Sequence, residues 1–292
     1  MLRSFPDYVF RSYKKRKAMN IVMCTFLIFT ACLALLPLIG ISWYVVSRGL
    51  PGLNLSFFTE LPKPVGEVGG GMANAIVGTL TLIGLASLIG IPWGVFTGIY
   101  LSEYGFGKRA ALVRFSVDML SSVPSIIIGL FVYTAIVLPM GRFSAIAGGV
   151  ALGILMVPTV AKVTEELLKM VPTTIREAGL ALGLPRWRVI LQVVLKGSVA
   201  SIMTGVMLGI ARVSGETAPL LFTALGNRYW QSRLDQPISS LPVQIYNYAI
   251  SPYEDWHRKA WAGALILVVL VFILNMSTRL IISPFSQKGE PS

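Results

Sequence analysis

The chain has 292 residues, 54% hydrophobic and only 13% charged, with mean hydropathy +0.72 and a formal net charge of +12. A soluble globular domain carries about 25% charged residues, so an ordinary soluble fold is excluded and the bilayer stands in for the usual core. With one histidine and two cysteines, a His-based metal or acid–base centre and a disulfide framework have nothing to build on, and no metal or cofactor is expected.

Residues 1–19 form a basic arm that includes Arg11, Lys14, Lys15, Arg16 and Lys17. The apolar segment behind it shows no small-residue cleavage pattern after a short h-region, so it reads as an uncleaved first span, 20–47, with a cytoplasmic N-terminus. Cys24 and Cys32 lie in this span, held about 12 Å apart by helix geometry, as small apolar side chains. An outer segment, 48–71, ends in Gly69-Gly70-Gly71. Further apolar runs predict spans over 72–101, 114–138, 143–163, 194–222 and 260–284, each long enough to cross a hydrocarbon core of about 30 Å. The expectation is an all-α, polytopic membrane protein with six transmembrane helices, a transmembrane domain over 72–284 and a cytoplasmic tail at 285–292.

With both termini inside, 17 of the 25 Lys and Arg fall on the cytoplasmic side, seven outside, and Arg212 within a span. That asymmetry obeys the positive-inside rule, so the basic balance is topological and calls for a lipid membrane and not for nucleic acid. In the outer segment 223–259, Ser240 can cap a short helix with Pro242 in its first turn, ending before Ser251-Pro252. Its Ile245, Tyr246 and Tyr248 are offered to the interface, either as an aromatic belt or as a docking surface. Pro92 and Pro124 interrupt spans two and three, as kinks or as sources of free carbonyls. Asp118 is read as solvated at the cytoplasmic end of span three.

The polar stretch 165–195, between spans four and five, carries the most information. Thr174-Ile175-Arg176-Glu177 is a capping-box pattern with Thr174 as N-cap. The helix it starts should stop near Gly183, and Pro185 should open a second helix through Arg186-Trp187-Arg188 into span five. Ile175, Ala178, Gly179 and Leu182 share one face, where small residues permit close approach of another surface. From periodicity alone, such a helix-turn-helix either enters a groove on a soluble partner or rests on lipid headgroups.

The run Glu177-Ala178-Gly179, three residues, Gly183, nine residues, Val193-x-Leu195 resembles the EAA motif of type I ABC importer permeases, with Gly179 in place of an alanine and Lys196 in place of a proline. Further stretches resemble phosphate permeases of the PstA type: Asn74 to Thr79, Asp118-Met119-Leu120 with Pro124-Ser125, and Arg212 to Leu221. The resemblance covers residues 57 to 285. It implies a type I ABC importer permease fold in a bacterial inner membrane, and coupling to an ATPase through Glu177, Ala178, Gly179 and Gly183. It also implies the partners: a second homologous permease, two ATP-binding subunits and a periplasmic phosphate-binding protein. The chain has no G-x-x-x-x-G-K-[ST] loop, so it is not expected to be an enzyme, and hydrolysis falls to a separate subunit.

Within span five, Arg212 and Glu216 are expected on one helix face, in the outer half of the membrane, and the cost of a charge near mid-bilayer turns them toward protein or water. One reading makes them the substrate path. Arg212 presents a charged fork to a tetrahedral oxyanion, Glu216 tempers its pull and Thr217 adds a hydroxyl. The other makes them a structural pair. Phosphonate, sulfate or molybdate would suit the same arginine, and a phosphate-signalling scaffold is a further alternative. Gly205-x-x-x-Gly209 reads as a close-packing motif, compatible with a dimer interface.

Overall fold

The structure, a computed structural model, describes residues 7–64, 66–67 and 69–286. The first six residues of the basic arm and residues 287–292 of the expected tail lie outside the described residues. The chain divides into two units, Met1–Arg48 and Gly49–Ser292.

The first unit consists of α1 (Asp7–Gly49), 43 residues long. From Asp7 onward the expected arm is therefore already helical and runs into the first span without a break. Leu27, Phe29, Ile39 and Trp43 are all more than half exposed. A helix that is apolar on every side is soluble only in lipid or against other membrane helices, and there Pro37 is tolerated inside it.

The second unit opens with a 3-10 turn (Leu50–Gly52) and α2 (Leu55–Thr59), which Asn54 caps by accepting the Phe57 N–H at 2.8 Å. Then come α3 (Ala73–Glu103), α4 (Gly107–Ser122), α5 (Ser125–Val132), a π-helical turn (Tyr133–Val137), α6 (Leu138–Met140) and α7 (Ala145–Lys169). On the far side of α7 follow α8 (Thr173–Ala181), α9 (Arg186–Arg188), a second π-helical turn (Val189–Val194), α10 (Leu195–Gly197), α11 (Val199–Ser214) and α12 (Ala218–Thr223). An outer helix, α13 (Leu241–Ala249), precedes the last span, α14 (Glu254–Ser286).

Four helices, α1, α3, α7 and α14, are long and apolar enough to cross a membrane unaided. The other two expected spans are bent pairs: Gly107–Ser122 with Ser125–Met140, at 100°, and Arg186–Gly197 with Val199–Ser214, at 72°. Counting each pair as one span gives six. The interruption expected at Pro124 in the third span, 114–138, is thus a sharp break. Pro124 has no N–H to donate and forces Val123 out of the helical region, to φ −67 and ψ 129. Pro92, by contrast, lies inside an unbroken α3. The fifth span breaks at Ser198 (φ −113, ψ 12), two residues after Lys196. It stops again at Ser214, so the expected 194–222 helix is three pieces.

The centre of the unit is α7, whose N-terminus is capped by Ser144 accepting the Ala147 N–H at 3.1 Å. It packs along α3 on a seam of glycines. A Cβ on Gly90 would meet Met156, one on Gly94 would meet Val160 and one on Gly98 would meet Thr164, each within 2.7 Å. The core continues through Leu82, Leu152, Leu155, Val206, Val213 and Leu220 into α11 and α12. Gly205 and Gly209 of the close-packing motif face Val163 and Val160 of α7, so the motif joins helices within this chain. α7 also ends at Lys169 and not near 163, so the helix runs on for seven residues beyond Lys162.

At the opposite end from the α8–α9 hairpin a second core forms from Phe57, Met72, Leu241, Tyr248 and Ala260. The α13 helix starts after Ser240 with a proline in its first turn, where the sequence expects it, but the Ser240 hydroxyl makes no cap. That hydroxyl is buried with no partner, while Thr79 accepts the Leu241 N–H at 2.8 Å. Tyr248, expected at the interface, is 5% exposed. The strap before α3 is tied by Glu60, whose carboxylate accepts the Gly70 N–H at 3.0 Å. That bond, then the Lys63 ammonium, holds its carboxyl below the usual range.

Candidate functional site

Two sets of side chains bear on function. The first is at the end of the molecule where α3 and α7 finish. Helix α8 starts at Thr173, two residues earlier than the capping box predicts. Pro172 takes the N-cap position without a side-chain bond, and its carbonyl accepts the Ile175 N–H at 3.2 Å. Glu177 is therefore the fifth helical residue, too far along to close a capping box. The C-terminus follows expectation. Gly183 has φ +80, its N–H donates to Leu180 O at 2.9 Å and the Leu184 N–H donates to Gly179 O at 3.3 Å. This is a complete Schellman motif, which needs a residue free to adopt the left-handed region.

What holds the hairpin in place is an ion pair that the sequence does not announce. Glu103, the last residue of α3, has a side chain 3% exposed and accepts Arg176 Nη2 at 2.6 Å and Nε at 3.0 Å. The same guanidinium donates to Leu168 O at 2.9 Å and Val171 O at 2.6 Å, closing the C-terminal end of α7. Arg186 donates to the Glu103 carbonyl and stacks over Tyr104 at 4.8 Å. The Glu103–Arg176 pair, with Arg186 on the Glu103 carbonyl, thus ties α3, α7, α8 and α9 together. Breaking such a pair by removing one partner costs about 3–5 kcal/mol, because the remaining charge stays buried.

Of the four expected coupling residues, Glu177, Ala178 and Gly183 are exposed. Gly179 is not: it is buried, and a Cβ there would meet the Val189 methyls at 3.0–3.1 Å. Its smallness serves packing inside this chain. The outward surface is made by Glu177, Ala178, Ile175 and Leu182, the last 82% exposed. Replacing Gly183 with valine should strain the left-handed turn by about 1–2 kcal/mol. The expected result is a weakened grip on any ATPase that docks here, read as a lower yield of that subunit on co-purification, with the spans still inserted.

The second set lies within the membrane-spanning bundle. Arg212 is in the last turn of α11 and donates from Nη1 to Thr159 Oγ1 on α7 at 2.9 Å. Thr159 is 14 residues into a 25-residue helix, about 21 Å along it, so the guanidinium is at mid-length of α7. The outer-half position expected for Arg212 was counted along one straight helix from Lys196, and the 72° break takes the residues before Ser198 out of that line. Glu216 does not share a helix face with Arg212, because α11 ends at Ser214. Among the described residues no ion pair joins the two. Thr217 sits at the start of α12, where its carbonyl accepts the Leu220 and Leu221 N–H groups at 3.1 and 3.2 Å, and its hydroxyl makes no cap.

Around these sets lie further ion pairs that the sequence reading missed. Glu165, 8% exposed, is bracketed by Arg114 at 2.7 Å and Lys169 at 2.5 Å. Asp118 is not simply solvated, since it meets Lys162 at 2.8 Å. The spacing of Glu165 and Lys169, four apart, was a readable signal; the pairings across 44 to 73 residues of chain were not.

The arrangement of broken helices around α7, with a clamped hairpin at one end, matches known proteins. Residues 90–286 match the family described as the binding-protein-dependent transport system inner membrane component. The chain belongs to that family. As a member of it, the chain is a multi-pass inner-membrane component of a transport system. Among its relatives, the phosphate transport system permease protein PstA of Yersinia pestis is 47% identical over 272 residues, covering 93% of this chain and 90% of that protein. The PstA of Xylella fastidiosa strain 9a5c is 45% identical, covering 91% and 93%. Among solved structures, the inward-facing MetNI methionine ABC transporter aligns with a TM-score of 0.59 at 20% identity, over 73% of this chain and 97% of that chain. At that identity the likeness shows the fold alone, the type I ABC importer permease fold.

Proposed function

We propose that this chain is the permease subunit of an ATP-driven importer of inorganic phosphate, gripped by a separate ATPase at the α8–α9 hairpin and passing its substrate beside Arg212. The observation that carries this reading is the guanidinium at mid-length of α7, held by a neutral hydroxyl and, among the described residues, by no carboxylate. A fixed positive charge at that depth is costly unless it does work on an anion, and a planar fork suits a tetrahedral oxyanion. Phosphate as the substrate is supported by the names of relatives alike over nearly the whole chain.

The same reading assigns the outward face of α8 to an ATPase dimer, gives the chain a homologous permease as its companion, and makes an external phosphate-binding protein the source of substrate. The chain's own part is binding and passage of the anion, with no hydrolysis. Purification in mild detergent with co-purifying subunits, followed by reconstitution with the binding protein, tests it. Uptake of labelled phosphate should require ATP and should survive about a tenfold excess of sulfate, molybdate or a phosphonate, an excess at which an anion bound about 1.4 kcal/mol more weakly than phosphate would already compete equally. Displacement of phosphate by one of these anions would reassign the substrate. ATP turnover without any flux would leave a signalling role instead.

A further inference from the structure

Lys162 stands three residues beyond Thr159 on α7. Positions i and i+3 share a helix face and are separated by about 4.5 Å along the axis. Lys162 therefore lies on the face that carries Thr159 and its bound Arg212 guanidinium, displaced toward the end where the α8–α9 hairpin sits. The neighbouring positions Val160, Ala161 and Thr164 are fully buried, whereas Thr159, Lys162 and Glu166 keep access to the outside of the unit. An ammonium on a membrane helix is stable where it meets protein or water. Here it faces Asp118 of α4 at 2.8 Å.

Exposure separates this pair from its neighbours. The Glu103 side chain in its pair with Arg176 is 3% exposed, and Glu165 is 8% exposed between two cations. Either carboxylate, once parted from its cations, would be a bare buried charge, so those links are fixed. Lys162 and Asp118 are 36% and 56% exposed. Neither partner becomes a buried bare charge when they separate, and the pair can exchange one anion for another. A path for ions needs sites that bind well enough to be entered and weakly enough to be left. A lysine whose counter-ion can be displaced meets both conditions.

We propose that Lys162 is a second anion station, one helical turn to the cytoplasmic side of Arg212. It receives the tetrahedral oxyanion from Arg212 while Asp118 is displaced, and re-formation of the Lys162–Asp118 pair releases the anion. Glu166, the next exposed side chain on this face, carries a negative charge that favours departure over a third stop. The proposal rests on the phosphate-import reading above and adds to it a residue with a defined step.

The test uses the whole complex in proteoliposomes, loaded with ATP and supplied with the binding protein and labelled inorganic phosphate. Cys24 and Cys32, both exposed, are first replaced by serine, and the resulting complex is checked to be insensitive to thiol reagents. Lys162→Gln is expected to lower uptake per complex at least about tenfold, as loss of a charge-assisted contact does, while Lys162→Arg retains most of it. Because a neutral residue at 162 can disturb assembly, Lys162→Cys is also modified after assembly. Aminoethyl methanethiosulfonate, which restores a positive charge, should recover uptake. A neutral methanethiosulfonate of similar length should not, and phosphate should slow the labelling. Recovery with both reagents, recovery with neither, or full uptake by Lys162→Gln would overturn the station. Failure of the unsubstituted complex to take up phosphate would overturn the import reading itself.

Discussion

Replacing Arg176 with methionine is expected to leave the spans inserted and the α8–α9 hairpin undocked. The side chain is the meeting point of four donor–acceptor contacts that reach α3, the end of α7 and the loop behind it. Methionine fills much of the volume but leaves the Glu103 carboxylate, 3% exposed, without its cation. The cost of about 3–5 kcal/mol corresponds to a fall of roughly two to three and a half orders of magnitude in the docked population. Because α8 and α9 lie at the edge of the unit, that cost falls on local opening and not on the bundle. Hydrogen exchange should therefore quicken across 173–188 while α3 and α7 stay protected, and co-purified ATPase should drop in parallel. Combining Glu103→Met with Arg176→Met removes both charges and should recover much of the docking, since an apolar replacement of a whole buried pair is often neutral. If exchange across α7 rose equally in the single variant, the pair would be holding the fold and not the hairpin.

How much of this was open to reading residue by residue depends on the range of the interaction. Composition gave the membrane and the charge asymmetry gave an orientation, because both sum over many residues. The turn at Gly183 was legible because a Schellman motif is local: a glycine after the last helical residue and a proline two beyond it. Pro124 was legible as an interruption, since the residue before a proline is driven from the helix, while the 100° size of the bend was not. The Ser198 break carries no such mark, and with it went the depth of Arg212. Glu103 was hidden for another reason. A carboxylate at the end of a long apolar helix looks solvated until Arg176, 73 residues away, is brought onto it. Gly179 shows the converse error, in which a small residue on a predicted contact face turned out to serve Val189 of its own chain.

Arg212→Gln is expected to abolish phosphate uptake, by about 10² to 10⁴-fold, in a complex that still assembles and still hydrolyses ATP. The estimate takes two charge-assisted hydrogen bonds from a guanidinium fork to an oxyanion, at about 1.5–3 kcal/mol each. Glutamine is too short to keep the bond to Thr159 Oγ1, but Gly205 and Gly209 stay packed on Val163 and Val160, so the seam between α7 and α11 should survive while the charge is lost. Arg212→Lys keeps the charge and loses the fork, and should fall between the two, near about a tenfold loss. Glu216→Gln should matter less, since α11 ends at Ser214 and the carboxylate is not set one turn above the arginine. The measurement is uptake of labelled phosphate alongside ATP turnover and melting temperature for each variant. A structural role would lower the melting temperature and the yield of intact complex together, with lysine no better than glutamine. A substrate role leaves both unchanged and ranks arginine, lysine and glutamine by the strength with which each binds an anion. That ranking follows from the chemistry of the three side chains. A guanidinium offers a charged fork, an ammonium a single point of charge, and an amide only a neutral donor, which cannot replace a fixed positive charge.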